Sequence, residues 1–198
     1  QLMPIVGSLN LPSSLLGWDV MVLNAYLILN LVIVLHLLFT GFHDRPYKKG
    51  FVVPLLLFSI PAAVGIHTVT AFIYAGTAAR PFWNSAILAP RFLASAFCSG
   101  PAILLILFQI LQRTTSIKIK DEAIWKIAEL MAYAMFLNLF LFGAEIFREY
   151  YSATHHLIHT QYLYSGVHGH TALVPFAWTS LVCSVAAFLL FLFPATRT

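Results

Sequence analysis

Residues 17–41 read GWDVMVLNAYLILNLVIVLHLLFTG. Between the bounding glycines the run carries one acid, Asp19, and one imidazole, His36; nearly everything else is Leu, Val, Ile or another apolar residue. A bilayer core needs about 20 consecutive apolar helical residues, and this run supplies them. In lipid an unpaired strand edge would leave backbone N–H and C=O groups without partners, so the run is expected to be a helix. Outward from it the same pattern recurs at about 51–76, 87–112, 123–150 and 171–194. The expected fold is all-α and integral to a membrane, one membrane domain over 1–198 with about five transmembrane helices, here A to E.

Composition leads to the same place. The chain is 60% hydrophobic and 9% charged, against about 25% charged for a soluble domain. So few charges cannot cover a water-facing surface, so most of the exterior faces lipid. No basic segment then suits a nucleic acid. Cys98 and Cys183 both lie in apolar runs and read as buried small hydrophobes. No CxxC, CxxCH or zinc-type spacing is present, so neither haem, an iron–sulfur cluster nor a metal is expected in this chain. The first residue is Gln, and no basic segment with a short apolar stretch follows, so no signal peptide is read there.

Punctuation fits the spans. Pro12-Ser13-Ser14 precedes helix A, and 43–50 (HDRPYKKG) separates A from B. Asp121 and Glu122 open helix D, where the helix dipole favours acids. Pro54, Pro61 and Pro101 fall inside helices, as membrane helices tolerate. Arg45, Lys48, Lys49, Arg113, Lys118, Lys120, Lys126 and Arg197 fall on one side of the membrane, against Arg80, Arg91 and Arg148 on the other. The positive-inside rule makes the richer side cytoplasmic. The start of the chain, the B–C loop and the D–E loop are then extracytoplasmic.

Ionisable residues within membrane spans are costly and mark candidate sites. Most stand toward the outer ends: Asp19, His67, Arg91, Glu145, Arg148 and Glu149, with His36 and Glu129 nearer the inner side. Asp19, after Trp18, reads either as an N-cap carboxylate beside an interfacial Trp or as a proton acceptor for a bound head group. His67, with Tyr74 seven residues on along the same face, reads as an interhelical hydrogen-bonding group, a ligand or a proton-handling group. Arg91 pairs with Glu145 or Asp19, or contacts a ligand. Its stripe continues to Ser95 and Cys98 as a small-residue packing face. Glu145 and Glu149 flank Arg148 as a helix end with an internal ion pair, or handle protons. His155, His156, His159, His168 and His170 fill the D–E loop; with no fixed geometry they read as a docking or buffering loop before a metal site. His36 and His67 differ in depth, against a bis-histidine haem.

Several stretches together resemble the NrfD/polysulfide-reductase membrane-subunit family. They are IHTVTAF (66–72), RPFWN (80–84), APRFLASAF (89–97), Ser99-Gly100, Trp18-Asp19 and the Glu145…Tyr150-Tyr151-Ser152 end of helix D. Within it the likeness is nearest the DsrP-type subunit, which links the quinone pool to dissimilatory sulfur metabolism. The resemblance implies a helical subunit without its own redox centre in a prokaryotic cytoplasmic (inner) membrane. Such a subunit is not catalytic alone. It binds menaquinone or ubiquinone near the outer face, beside an extracytoplasmic iron–sulfur subunit and other membrane subunits. It implies Asp19 as a lining residue of the quinone pocket, with Trp18, His67 and Arg91 at matching motif positions, and Glu145, Glu149 and Tyr74 as proton-handling candidates. Family members have eight to ten helices in two bundles, so five suggest part of a longer subunit. Alternative complex III relatives carry an acid in helix B where this chain has Ile73, which weakens the case for proton translocation. The rival expectations are a transporter or proton pathway, and an anchor whose quinone site lies in other helices.

Overall fold

The computed structural model describes residues 14–77, 83–116, 118–153 and 157–196. Arg80, Pro81, Phe82, His155, His156 and Arg197, and the Pro12-Ser13 lead into helix A, lie outside the described residues. Within those described, the chain is all-α. Five helices are long and apolar enough to cross a membrane: α1 Leu15–Phe42, α2 Lys49–Ala75, α3 Leu88–Thr114, α4 Asp121–Ser152 and α6 Val174–Leu192. A shorter helix, α5 Leu157–Tyr164, lies between the last two. At 1.5 Å per residue, the 28 residues of α1 reach about 42 Å and the 19 of α6 about 28 Å, against a hydrocarbon core of about 30 Å. The described chain is a multi-pass membrane protein.

The helices form two compact units, Gln1–Asn84 and Ser85–Thr198. In the first, α1 packs along α2. Ser14 caps α1, its hydroxyl accepting from the Gly17 amide at 3.1 Å. Asp19 is therefore one turn inside the helix, and the N-cap reading of it is replaced. Buried contacts are few and small: Gly17, Ile33 and Thr40 on α1, Val52 and Ala71 on α2. Pro54 and Pro61 both lie within α2. Most of the remaining Leu, Ile and Phe side chains of both helices stay exposed, as lipid-facing surface must be.

In the second unit α3 and α4 share the longest contact, and α6 and α5 pack on α4. The close-packing residue at the start of α3 is Ala94, 2% exposed, while Ser95 is exposed. The contact face thus runs Arg91, Ala94, Cys98, Ala102 and Leu105, one residue away from the expected Ser95 register. Small residues at this seam let the backbones approach. Below it Leu105, Ala128 and Met131 form an apolar cluster with Ala102, Ile124, Ile127 and Phe191.

The D–E connection is more ordered than expected. Leu157, Thr160, Gln161 and Tyr164 recur at helical spacing, with Thr160 buried. The Ser165 and Gly166 amides close α5 by donating to the Gln161 carbonyl at 2.8 and 2.9 Å. Gly166 has φ +79°, and a Cβ there would meet Thr171 Cγ2 at 2.7 Å, so this helix end requires glycine. His168 (φ 50°) and Gly169 (φ 82°) then turn the chain between the bridged residues Val167 and His170. Two positive-φ central residues match the tight turn that reverses a hairpin.

Candidate functional site

A polar contact joins the two helices of the first unit. Thr70 Oγ1 donates to Asp19 Oδ1 at 2.8 Å. Thr70 sits three residues after His67 and four before Tyr74, so all three share one face of α2. Asp19, His67 and Tyr74 are thereby gathered along the end of α1 and α2 where α1 begins and α2 closes. Thr70 joins them unanticipated; its signal in the sequence is this spacing. The His67 ring is oriented by its own helix, with Nδ1 2.9 Å from the Ala63 carbonyl. A carbonyl only accepts, so Nδ1 donates to it, which leaves Nε2 as the acceptor in the neutral form of the ring. Tyr74 packs edge-on against Trp83 at 5.0 Å between centroids. Trp18, 42% exposed, precedes Asp19 on the more open side of α1. Toward the other end of the unit, His36 packs edge-on against Phe51 at 5.2 Å, and its buried Nε2 has no partner among the described residues.

The second unit holds Arg91, Glu145 and Glu149. Of the carboxylates considered for Arg91, Glu145 takes it: the guanidinium of α3 pairs with the carboxylate of α4. The same guanidinium lies 5.0 Å from the centroid of Phe142, one turn before Glu145 on α4, within cation–π range. One turn beyond Glu145, Glu149 is 8% exposed. Its Oε1 accepts from Arg148 Nη2 at 2.9 Å, and its Oε2 is buried with no partner among the described residues. Near the opposite end Lys126 and Tyr133 both donate to Glu129, at 2.9 and 3.0 Å.

A group of aromatic residues adjoins the Arg91–Glu145 pair. Tyr164 of α5 lies 6.1 Å from Phe142 and 5.8 Å, edge-on, from Trp178 of α6. Trp178 Nε1 donates to the Tyr164 carbonyl at 3.0 Å. Burial pushes the Tyr164 phenol above its ordinary range; the Arg91 charge opposes this and the Glu145 charge adds to it. Phe142, Ile146, Tyr150, Tyr164, Trp178 and Leu181 line a partly open cavity of about 170 Å³. Among the described residues no group of three or more His, Cys, Asp or Glu is placed to hold a metal, and Cys98 and Cys183 are free thiols.

Arg91, Glu145, Arg148 and Glu149 therefore belong to one unit, and Asp19, His67 and Tyr74 to the other. Each set can do different chemistry. The Asp19 set brings a carboxylate, an imidazole and a phenol to one end of α1 and α2. The Arg91 set holds its charges in pairs beside aromatic walls.

Two curated relatives are similar in sequence. One, in Halobacterium salinarum, is a membrane subunit named for dimethyl sulfoxide reductase; it is 32% identical over 44% of this chain and 20% of its own length. The other, in Mesobacillus selenatarsenatis, is named as a subunit of selenate reductase; it is 26% identical over 73% of this chain and 41% of its own length. The chain spans less than half the length of either. No solved structure matches it significantly. The family described as "Polysulphide reductase, NrfD" matches residues 1–197. The chain belongs to the polysulphide reductase NrfD family, and with it to the membrane proteins associated with oxidoreductases.

Proposed function

We propose that this chain is a quinone-interacting part of a membrane subunit in a multi-subunit respiratory oxidoreductase. In this reading the complex exchanges electrons between the menaquinone or ubiquinone pool and an extracytoplasmic iron–sulfur partner, as a DsrP-type subunit of sulfur-compound metabolism. Family membership and two relatives named as reductase subunits support the oxidoreductase setting. The observation that carries the quinone reading is the Asp19–Thr70 contact on the face of α2 that also bears His67 and Tyr74. A quinol carries two protons and two electrons. Asp19 and the His67 Nε2 can each accept a proton from a ring hydroxyl, and the Thr70 hydroxyl holds the Asp19 carboxylate in place. Trp18 and Tyr74 supply apolar ring surface next to those acceptors. The Lys/Arg bias favours placing this end of α1 and α2 at the extracytoplasmic face, where the partner would dock.

A second reading, an ion or proton pathway, draws on the Arg91–Glu145 pair and on Glu149, since charges within spanning helices also line such paths. Purification of the intact complex followed by lipid extraction separates the two. Stoichiometric quinone in wild type that is lost in Asp19→Asn supports the quinone site. Unchanged quinone in Asp19→Asn removes Asp19 from it and leaves the chain an anchor for a site in other helices. Solute or proton flux through the chain in liposomes, abolished by Glu145→Gln, would favour the pathway.

A further inference from the structure

The cavity of the second unit is small, partly open and lined mainly by rings. Its volume of about 170 Å³ is below the roughly 300 Å³ at which pockets begin to enclose a drug-sized ligand. It can take one small ring system, with any tail lying outside. Four of its six lining residues, Phe142, Tyr150, Tyr164 and Trp178, are aromatic. Such walls favour a planar π-system through offset and edge-on contacts. The walls are fixed from three helices: Phe142 sits beneath the Arg91 guanidinium, and the Trp178 indole is tied to the Tyr164 carbonyl.

The polar chemistry of this cavity is specific. The Tyr164 phenol lies within the fields of both Arg91 and Glu145. Its hydroxyl makes no hydrogen bond among the described residues. An aliphatic chain or plain hydrocarbon ring would leave that hydroxyl unpaired, which is costly in an apolar setting. A ring bearing a carbonyl would accept from it. The larger groove between α3 and α4, about 570 Å³ and lined by Leu93, Phe97, Leu130 and Leu137 among others, lacks this handle. Its one phenol, Tyr133, already donates to Glu129 at 3.0 Å.

We infer that the second unit holds its own binding site for the planar, carbonyl-bearing ring of a quinone, between Phe142, Tyr164 and Trp178, with the Tyr164 hydroxyl donating to a ring carbonyl. The site is additional to the one at Asp19, and it rests on the quinone reading above only for the choice of ring. Its walls and its donor come from the second unit alone.

Equilibrium dialysis of the full chain in detergent, with menadione as probe and empty micelles as blank, tests it. Naphthalene serves as a ring of like size without carbonyls. Wild type should bind two menadiones, and Asp19→Asn should keep one. In the Asp19→Asn background, Tyr164→Phe should weaken the remaining site about threefold to tenfold, the scale of one lost hydrogen bond. Trp178→Ala should abolish that binding, with helix content by circular dichroism unchanged. Naphthalene should bind more weakly than menadione and be indifferent to Tyr164→Phe. One menadione in wild type and none in Asp19→Asn would overturn the inference. So would a remaining site insensitive to Tyr164→Phe, or one that takes naphthalene equally well. If binding is sensitive to Tyr164 and indifferent to Asp19, the site at Asp19 fails and this one stands.

Discussion

Asp19 and Glu145 are both carboxylates on membrane-length helices, yet their partners differ in kind. Asp19 meets the neutral hydroxyl of Thr70 across the α1–α2 seam. Glu145 meets the full charge of Arg91 across the α3–α4 seam, with the Phe142 ring beneath the guanidinium. A hydroxyl leaves the charge of a carboxylate largely uncompensated and available to a bound group. An arginine consumes it. The same kind of group therefore reads as a binding element in one unit and as a structural tie in the other. What distinguishes them is the partner.

The largest effect should come from splitting the tie. Arg91→Ala leaves the Glu145 side chain, 14% exposed, facing an empty seam. The pair is partly buried, with the Arg91 side chain 31% exposed, so removing one partner should cost about 1–3 kcal/mol, less than for a fully buried pair. Denaturant unfolding in micelles should show that loss, and Arg91→Met with Glu145→Gln should recover most of it. If the single variant is as stable as wild type, the pair is not a tie and the contrast between the units collapses.

Asp19→Asn should show the opposite profile. The amide keeps the size of the side chain and an oxygen for the Thr70 hydroxyl, so stability should change by no more than about 1 kcal/mol. Quinone retention should fall by about tenfold or more, because a hydrogen bond to a charged group contributes about 1.5–3 kcal/mol. The measurement is quinone per complex against unfolding midpoint. A stability loss as large as that of Arg91→Ala, with quinone retained, would make Asp19 a second structural tie.

Thr70→Val sharpens the same point on a smaller scale. It is nearly isosteric and removes only the donor to Asp19. We expect about 1 kcal/mol of destabilisation and a lesser drop in quinone affinity than for Asp19→Asn. Thr70→Ser should restore both. Equal behaviour of the Val and Ser variants would show that the hydroxyl does not position the carboxylate.

These partners explain what the sequence could and could not convey. The five spans were legible because lipid admits a helix and little else, and runs such as 17–41 carry that demand in every residue. The Arg91–Glu145 pair was one of two ion pairs open to Arg91, beside a ligand contact, since charge signs restrict partners without choosing among them. Thr70 was passed over because a Thr in a membrane helix more often bonds its own backbone, as Thr68 does to Val64 at 2.8 Å. Helix α5 was hidden by the histidines of the loop around it and by its length of eight residues, although Leu157, Thr160, Gln161 and Tyr164 already had helical spacing. The cavity was not legible at all. Its walls come from α4, α5 and α6, and only the fold brings residues so far apart in the chain to one place.

The smallest effect concerns Tyr164 and alkaline pH. Burial raises this phenol above its ordinary value of about 10, and the Glu145 charge adds to that while Arg91 opposes it. A raised folded-state value means the unfolded chain releases the proton first. The stability tied to the neutral phenol is then fully present below about pH 10 and is lost as pH rises from there through the folded value. Across neutral pH, wild type and Tyr164→Phe should keep a constant difference in unfolding midpoint. Above about pH 10 the wild type should lose stability relative to the Phe variant, and ultraviolet titration should show one late tyrosinate missing from the variant. Because α5 belongs to the second unit, Asp19→Asn should leave this profile untouched. A tyrosinate appearing below about pH 9 would mean that the Arg91 charge outweighs burial. The aromatic cavity would then be wetter than its walls suggest, and Tyr164 a weaker donor to any ring bound there.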